Sequence, residues 1–91
     1  MRHPGQSDMN NQIRAILRRH TNLAPLVATL LDGDNLFDAG LSSLGAVRLM
    51  IALEDAFDVD FPEAMMNRAS FGSVAAIERS LLQLRPFRQV A

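Results

Sequence analysis

The residues best placed to do chemistry are two adjacent serines in the run Asp38-Ala39-Gly40-Leu41-Ser42-Ser43-Leu44-Gly45-Ala46-Val47-Arg48. This run reads as a turn that delivers Ser43 to the first position of a strongly apolar helix. There, unpaired backbone N–H groups and the positive end of the helix dipole favour a phosphate, so a phosphodiester built on the hydroxyl would be stabilised. The competing role is a plain helix cap, for which serine is among the commonest residues. Local geometry alone favours the cap, and the surroundings must decide.

Other chemistries fail on the same residues. Gly40-Leu41-Ser42-Ser43-Leu44 follows a G-x-S-x-G nucleophile elbow until its last position, which is Leu, and 91 residues cannot build an α/β-hydrolase sheet. Asp32-Gly33-Asp34 opens like a calcium loop, but Leu36 and Phe37 stand where an oxygen ligand and a glycine are needed. The absence of Cys removes thiolate zinc sites, disulfides and cysteine nucleophiles, while His3 and His20 alone make neither a metal site nor a triad. His20 suits dipole compensation or capping at a helix end. Only Asp38 lies near Ser43 in sequence as an acid or base, so the chain is expected not to be an enzyme.

The elements that must position Ser43 are helical. Residues 1–6 read as a disordered tail, with Ser7 or Asp8 capping a first helix whose apolar face is Met9, Ile13, Ile16 and Leu17 and whose arginines, Arg14, Arg18 and Arg19, fall outside it. This helix should end at residues 20–23, before Pro25. A long apolar connection follows, with Leu26, Val27, Leu30 and Leu31 in a helical turn, and Asp32-Gly33-Asp34-Asn35 is a strong turn signal. The second helix is predicted from Ser43 to Phe57, a short one near Glu63 to Asn67 after Pro62, and a last one from a cap at Ser70 to Ser73 that stops before Pro86. Nothing alternates with period two, so no strand is predicted. The result is an all-α fold of three main helices and one short one, a single domain over residues 7–85, with a tail at 86–91.

On the second helix Ala46, Leu49, Met50, Leu53, Ala56 and Phe57 make one broad face for a small core to bury. Leu44, Val47 and Ile51 form a second seam, flanked by Glu54 on one side and by Arg48 and Asp55 on the other. Either this seam is exposed beside Ser43, or the long first loop covers it, or Leu44 alone is tucked in. Met65 and Met66 read as core filler, with one free to face a partner.

Charge is uneven although the net value is −1. Residues 1–31 carry four arginines against Asp8, whereas residues 32–63 carry eight acids against Arg48 alone, a segment that includes Ser43. Such a field steers a basic partner and argues against nucleic acid. A chain of 91 residues buries only about 60% of its unfolded surface, leaving little room for an internal pocket. No run of about 18 apolar residues is present, so no membrane span is expected and a soluble, cytoplasmic, monomeric protein is.

Taken together, these segments resemble the acyl carrier proteins. Leu36-Phe37-Asp38-Ala39-Gly40-Leu41-Ser42-Ser43-Leu44 is similar to the family's F-x-D-L-G-L-D-S-L, with Ser43 matching the serine that receives 4′-phosphopantetheine. Phe57-Asp58-Val59-Asp60-Phe61-Pro62 is similar to its F-D-V-x-I-P, and Phe71-x-Ser73-Val74-x-x-Ile77 to the opening of its last helix. The departures are Ser42 in place of the usual Asp, and Gly45 and Arg48 where fatty-acid carriers have acids. The register of Gly40 and Leu44 selects Ser43 over Ser42. Gly-Leu-Ser-Ser-Leu-Gly-Ala-Val-Arg-Leu-Met resembles small stand-alone aminoacyl carriers more closely than fatty-acid ones.

The resemblance implies a phosphopantetheinyl transferase that modifies Ser43, a synthetase-like ligase that loads an acyl or aminoacyl group as a thioester, and a downstream acceptor enzyme. Leu44, Val47, Arg48, Ile51 and Glu54 would form the partner-binding surface. A fatty-acid or polyketide-type carrier, and an unmodified helical adaptor, are the alternatives.

Overall fold

The computed structural model describes residues 8–89, so the expected tail over residues 1–6 and a cap at Ser7 lie outside the described residues. The first helix, α1 (Asp8–His20), opens on an acid and closes on Arg18, Arg19 and His20, a charge order that suits the helix dipole. Met9, Ile13, Ile16 and Leu17 are buried as their spacing predicts. The connection that follows is a 3-10 turn over Ala24–Thr29 with proline at its start. At three residues per turn Val27 and Leu30 align and are buried, while Leu26 and Leu31 stay exposed.

The helix carrying the serines, α2 (Ser43–Phe57), has the predicted bounds. Leu49 and Leu53 are fully buried, and Ala46, Met50 and Phe57 pack against the same core. Ala56 is exposed, against expectation. It sits in the last turn beside an open groove towards α1, and a methyl is too short to reach across. Asp58 ends α2 in the left-handed conformation at φ 54°, which Asp tolerates, and its N–H donates to the Glu54 carbonyl.

The short helix expected near Glu63–Asn67 is a 3-10 turn over Glu63–Met65, and a further four-residue helix, α3 (Arg68–Phe71), forms beyond it, running into the segment expected only to cap the last helix. Asn67 separates them, being extended at φ −149° with its side chain accepting the Ser70 N–H at 2.9 Å. The last helix, α4 (Val74–Gln89), is capped by Ser73, whose Oγ accepts the Ala76 N–H at 3.0 Å. It passes Pro86 rather than stopping before it. A proline at 86 has no N–H for the Leu82 carbonyl, and Leu82 lies on the exposed face, where water can serve that carbonyl.

Helices α1, α2 and α4 close on one another through Ile13, Leu17, Leu49, Leu53, Ile77 and Leu81, all fully buried, with Phe61 and Phe71 meeting edge to face at 4.9 Å. No strand occurs among the described residues, and the fold is all-α.

The first loop is pinned over this core by Arg14. Its guanidinium donates to the carbonyls of Val27 and Leu30 at 3.1 and 2.8 Å, to Asn10 Oδ1 at 2.9 Å and to the Asp32 carboxylate. Asn10 in turn donates to Asp32 at 3.0 Å and to Glu78 at 3.4 Å. These bonds, first from Asn10 and then from Arg14, hold the Asp32 carboxyl below its ordinary pKa against a smaller opposing effect of desolvation. The Asp32 carbonyl accepts from Ala75 and the Leu36 N–H donates to Gly72, fastening the loop's far end to α4 and α3. The sequence placed Arg14 on the solvent side; it is a clamp.

Candidate functional site

The turn before α2 is set by Asn22, two residues past the end of α1. Its Nδ2 donates to the Gly40 carbonyl at 2.6 Å and its Oδ1 accepts the Ser42 N–H at 3.1 Å. Gly40 has φ +116°, a conformation that side chains rarely adopt, and the Leu41 N–H closes the turn on the Leu36 carbonyl at 2.9 Å. Leu41 is buried, which anchors the turn to the core.

The two serines then divide the possible roles. Ser42 is the cap, extended at φ −78° and ψ 162°, with its Oγ accepting the Gly45 N–H at 2.9 Å. Ser43 is the first helical residue, it is exposed, and its hydroxyl has no hydrogen-bond partner among the described residues. Its own amide and that of Leu44 belong to the first turn, which has no helical acceptor for them.

Gly45 is part of the same construction. It is buried, and a Cβ there would lie 3.0 Å from Asn22 Oδ1, Leu41 Cδ1 and Ser42 Oγ. Gly45, a departure from the fatty-acid pattern, is therefore no part of the outer surface; it lets α2 approach Asn22. Only Arg48, which is exposed, changes the outer face.

That face is open. Leu44, Val47 and Ile51 are 60%, 49% and 57% exposed, so the first loop covers none of the seam. Arg48 stands beside them without an ion pair among the described residues. Glu54 borders the seam differently, half-buried, with one carboxylate oxygen accepting the Phe61 N–H at 3.0 Å. A groove of about 360 Å³ flanks the seam towards α3, floored by Ala46, Met50 and Phe71, with Arg68 stacked 4.5 Å over the Phe37 ring at its edge. Met66 is exposed on this groove, whereas Met65 packs against the core. Asn22 and the Arg14 clamp went unrecognised in the sequence, because each bonds to a segment distant in sequence and such a bond has no periodic signal.

The family defined by the phosphopantetheine attachment site matches residues 11–81, most of the chain. An aminoacyl carrier protein of Agrobacterium fabrum is 47% identical over 70 residues, 77% of this chain and 84% of that one. The chain belongs to the aminoacyl carrier proteins. Aminoacyl carrier protein 2 of Bradyrhizobium diazoefficiens is 32% identical over 75 residues, covering 82% of this chain and 84% of its own. Among solved structures, a chain in the complex of an engineered Bradyrhizobium japonicum glycine:[carrier protein] ligase with a carrier protein from Agrobacterium tumefaciens and ATP superposes with a TM-score of 0.78. It is 44% identical and covers 82% of this chain and 97% of that one.

The group this carrier family bears is 4′-phosphopantetheine. The residues present fit it, since an unbonded, exposed hydroxyl stands on a first turn held by Asn22 and the Ser42 cap, with free backbone amides beside it. No described helix is long and apolar enough to cross a membrane.

Proposed function

We propose that Ser43 is the attachment residue and that the chain presents an amino acid, held as a thioester, to the enzymes that load and unload it. The observation that carries this reading is the division between the serines: Ser42 Oγ is occupied as the helix cap and Ser43 Oγ is exposed and unbonded. A phosphodiester on Ser43 would meet the first-turn amides, which need an acceptor. In the transfer, Ser43 Oγ attacks the phosphorus of coenzyme A that bears pantetheine, the pyrophosphate P–O bond breaks, and adenosine 3′,5′-bisphosphate leaves. The hydroxyl proton goes to a base of the phosphopantetheinyl transferase, because no described acid or histidine of this chain bonds to Ser43. The chain is thus a substrate of other enzymes rather than a catalyst.

When bound, the arm supplies a terminal thiol that holds the cargo. The chain's own part is to fix Ser43 on α2 and to offer Leu44, Val47, Arg48 and Ile51, with Glu54 at the border, to the groove of a ligase and then of an acceptor enzyme. Likeness to a carrier solved with a glycine:[carrier protein] ligase supports an amino acid as cargo, with glycine the first to test. Work that needs coenzyme A and ATP suits the cytoplasm.

Incubation with coenzyme A and a broad-specificity transferase, followed by intact mass, tests the assignment. Wild type and Ser42→Ala should each gain one phosphopantetheine and Ser43→Ala none. No adduct on wild type, under conditions that modify a control carrier, would favour an unmodified adaptor.

A further inference from the structure

The exposed seam of α2 is a ridge between two grooves, and the second has a different character from the first. It holds about 650 Å³ between α2 and α1, with Ile16, Ile51 and Ala52 along its floor. Arg19 and His20 from the last turn of α1 and Arg48 from α2 stand on its rim, opposed by one acid, Asp55. None of these rim groups has an ion pair or hydrogen bond among the described residues. Earlier on α1, Arg14 shows how the fold treats a cation it needs for itself, with four hydrogen bonds. Arg19 and Arg48 have none, although Arg48 lies in a segment with eight acids.

We propose that this α1–α2 groove is the second half of the docking face, and that it takes an apolar ridge flanked by carboxylates on the ligase that loads the amino acid. The inference rests on the reading that such a ligase loads this chain. Charge complementarity selects the occupant: an apolar side chain covers Ile51 and Ala52, while carboxylates pair with the planar guanidiniums of Arg19 and Arg48, a geometry that suits bidentate bonds. Asp38, Asp60 and Glu63, exposed elsewhere on the molecule, repel a uniformly acidic surface, so the partner's carboxylates must be confined to this groove. Continuity through Ile51 joins the groove to the ridge that begins at Ser43.

The test uses the phosphopantetheine-bearing chain and the Bradyrhizobium japonicum glycine:[carrier protein] ligase as probe. Intact mass comes first and tests the Ser43 reading by itself. Arg19→Glu and Arg48→Glu, each checked for helical content by circular dichroism, should then weaken ligase binding about tenfold, whereas Arg79→Glu on α4 should leave it unchanged. Added salt should weaken wild type and affect a variant carrying both Arg19→Glu and Arg48→Glu much less. Amide shifts in the labelled chain should include Ala15–His20 as well as α2. The proposal is overturned if wild type does not bind the ligase, if both charge reversals bind as wild type does, or if the shifts spare α1. Normal modification with unaltered variant binding would overturn the groove and leave the Ser43 reading standing.

Discussion

Arg14 and Arg48 are both arginines on long helices, yet they belong to regions built on opposite terms. Arg14 is mostly buried and donates to two loop carbonyls, an amide oxygen and a carboxylate, so that the first loop is fixed over α1. Arg48 has no ion pair among the described residues and lies with Leu44, Val47 and Ile51, all exposed. The clamp region satisfies the side chains it buries; no described buried side-chain polar atom lacks a partner. The outer face leaves its groups for another molecule to satisfy. In a domain this small, such a contrast separates residues that hold the fold from residues that meet partners.

The largest effect expected from this contrast sets the two sides of α2 against each other. Leu49→Ala removes a fully buried side chain and should cost about 3 kcal/mol in denaturant unfolding. Ile51→Ala, two residues further, should change stability by about 0.5 kcal/mol or less and yet slow aminoacyl loading. Equal losses of stability would erase the distinction. The two arginines give the next test. Arg14→Ala strands the Leu30 carbonyl, leaves that of Val27 with only the Leu30 N–H, and should cost about 1–3 kcal/mol, while Arg48→Ala should be nearly neutral to unfolding.

The smallest effect is in the acid limb of stability. The Asp32 carboxyl titrates below its ordinary value in the folded chain, so its contribution is fully present above the unfolded pKa of about 3.9 and is lost as pH falls through the folded one. Asp32→Asn should therefore flatten the loss of stability on acidification in that window, read as the melting temperature against pH. An unchanged profile would mean that the clamp does not depend on this charge.

Much of this was legible in the sequence because apolar spacing reports which face of a helix is covered. The bounds of α2, the burial of Ile13 and Leu17 and the position of Ser43 all followed from period and from turn signals. The seam of Leu44, Val47 and Ile51 could be found but not assigned, since the path of the first loop decides whether it is covered. Arg14, Asn22 and Gly45 were misread or missed for a common reason: each acts on a segment distant in sequence, by hydrogen bonds or by a missing Cβ, and neither leaves a periodic trace. Asn67 broke the expected short helix in the same way, by capping the next one. The register of Gly40 and Leu44 against the family's motif had already selected Ser43 over Ser42, and the Ser42 hydroxyl on the Gly45 amide adds an independent physical reason for the same choice.

That separation is best tested on the unmutated chain. After modification with coenzyme A and a transferase, proteolysis and fragment mass spectrometry with gentle dissociation should locate the phosphopantetheine on Ser43, with Ser42 unmodified. An adduct found on Ser42 would contradict the assignment of one serine to the cap and the other to the cofactor.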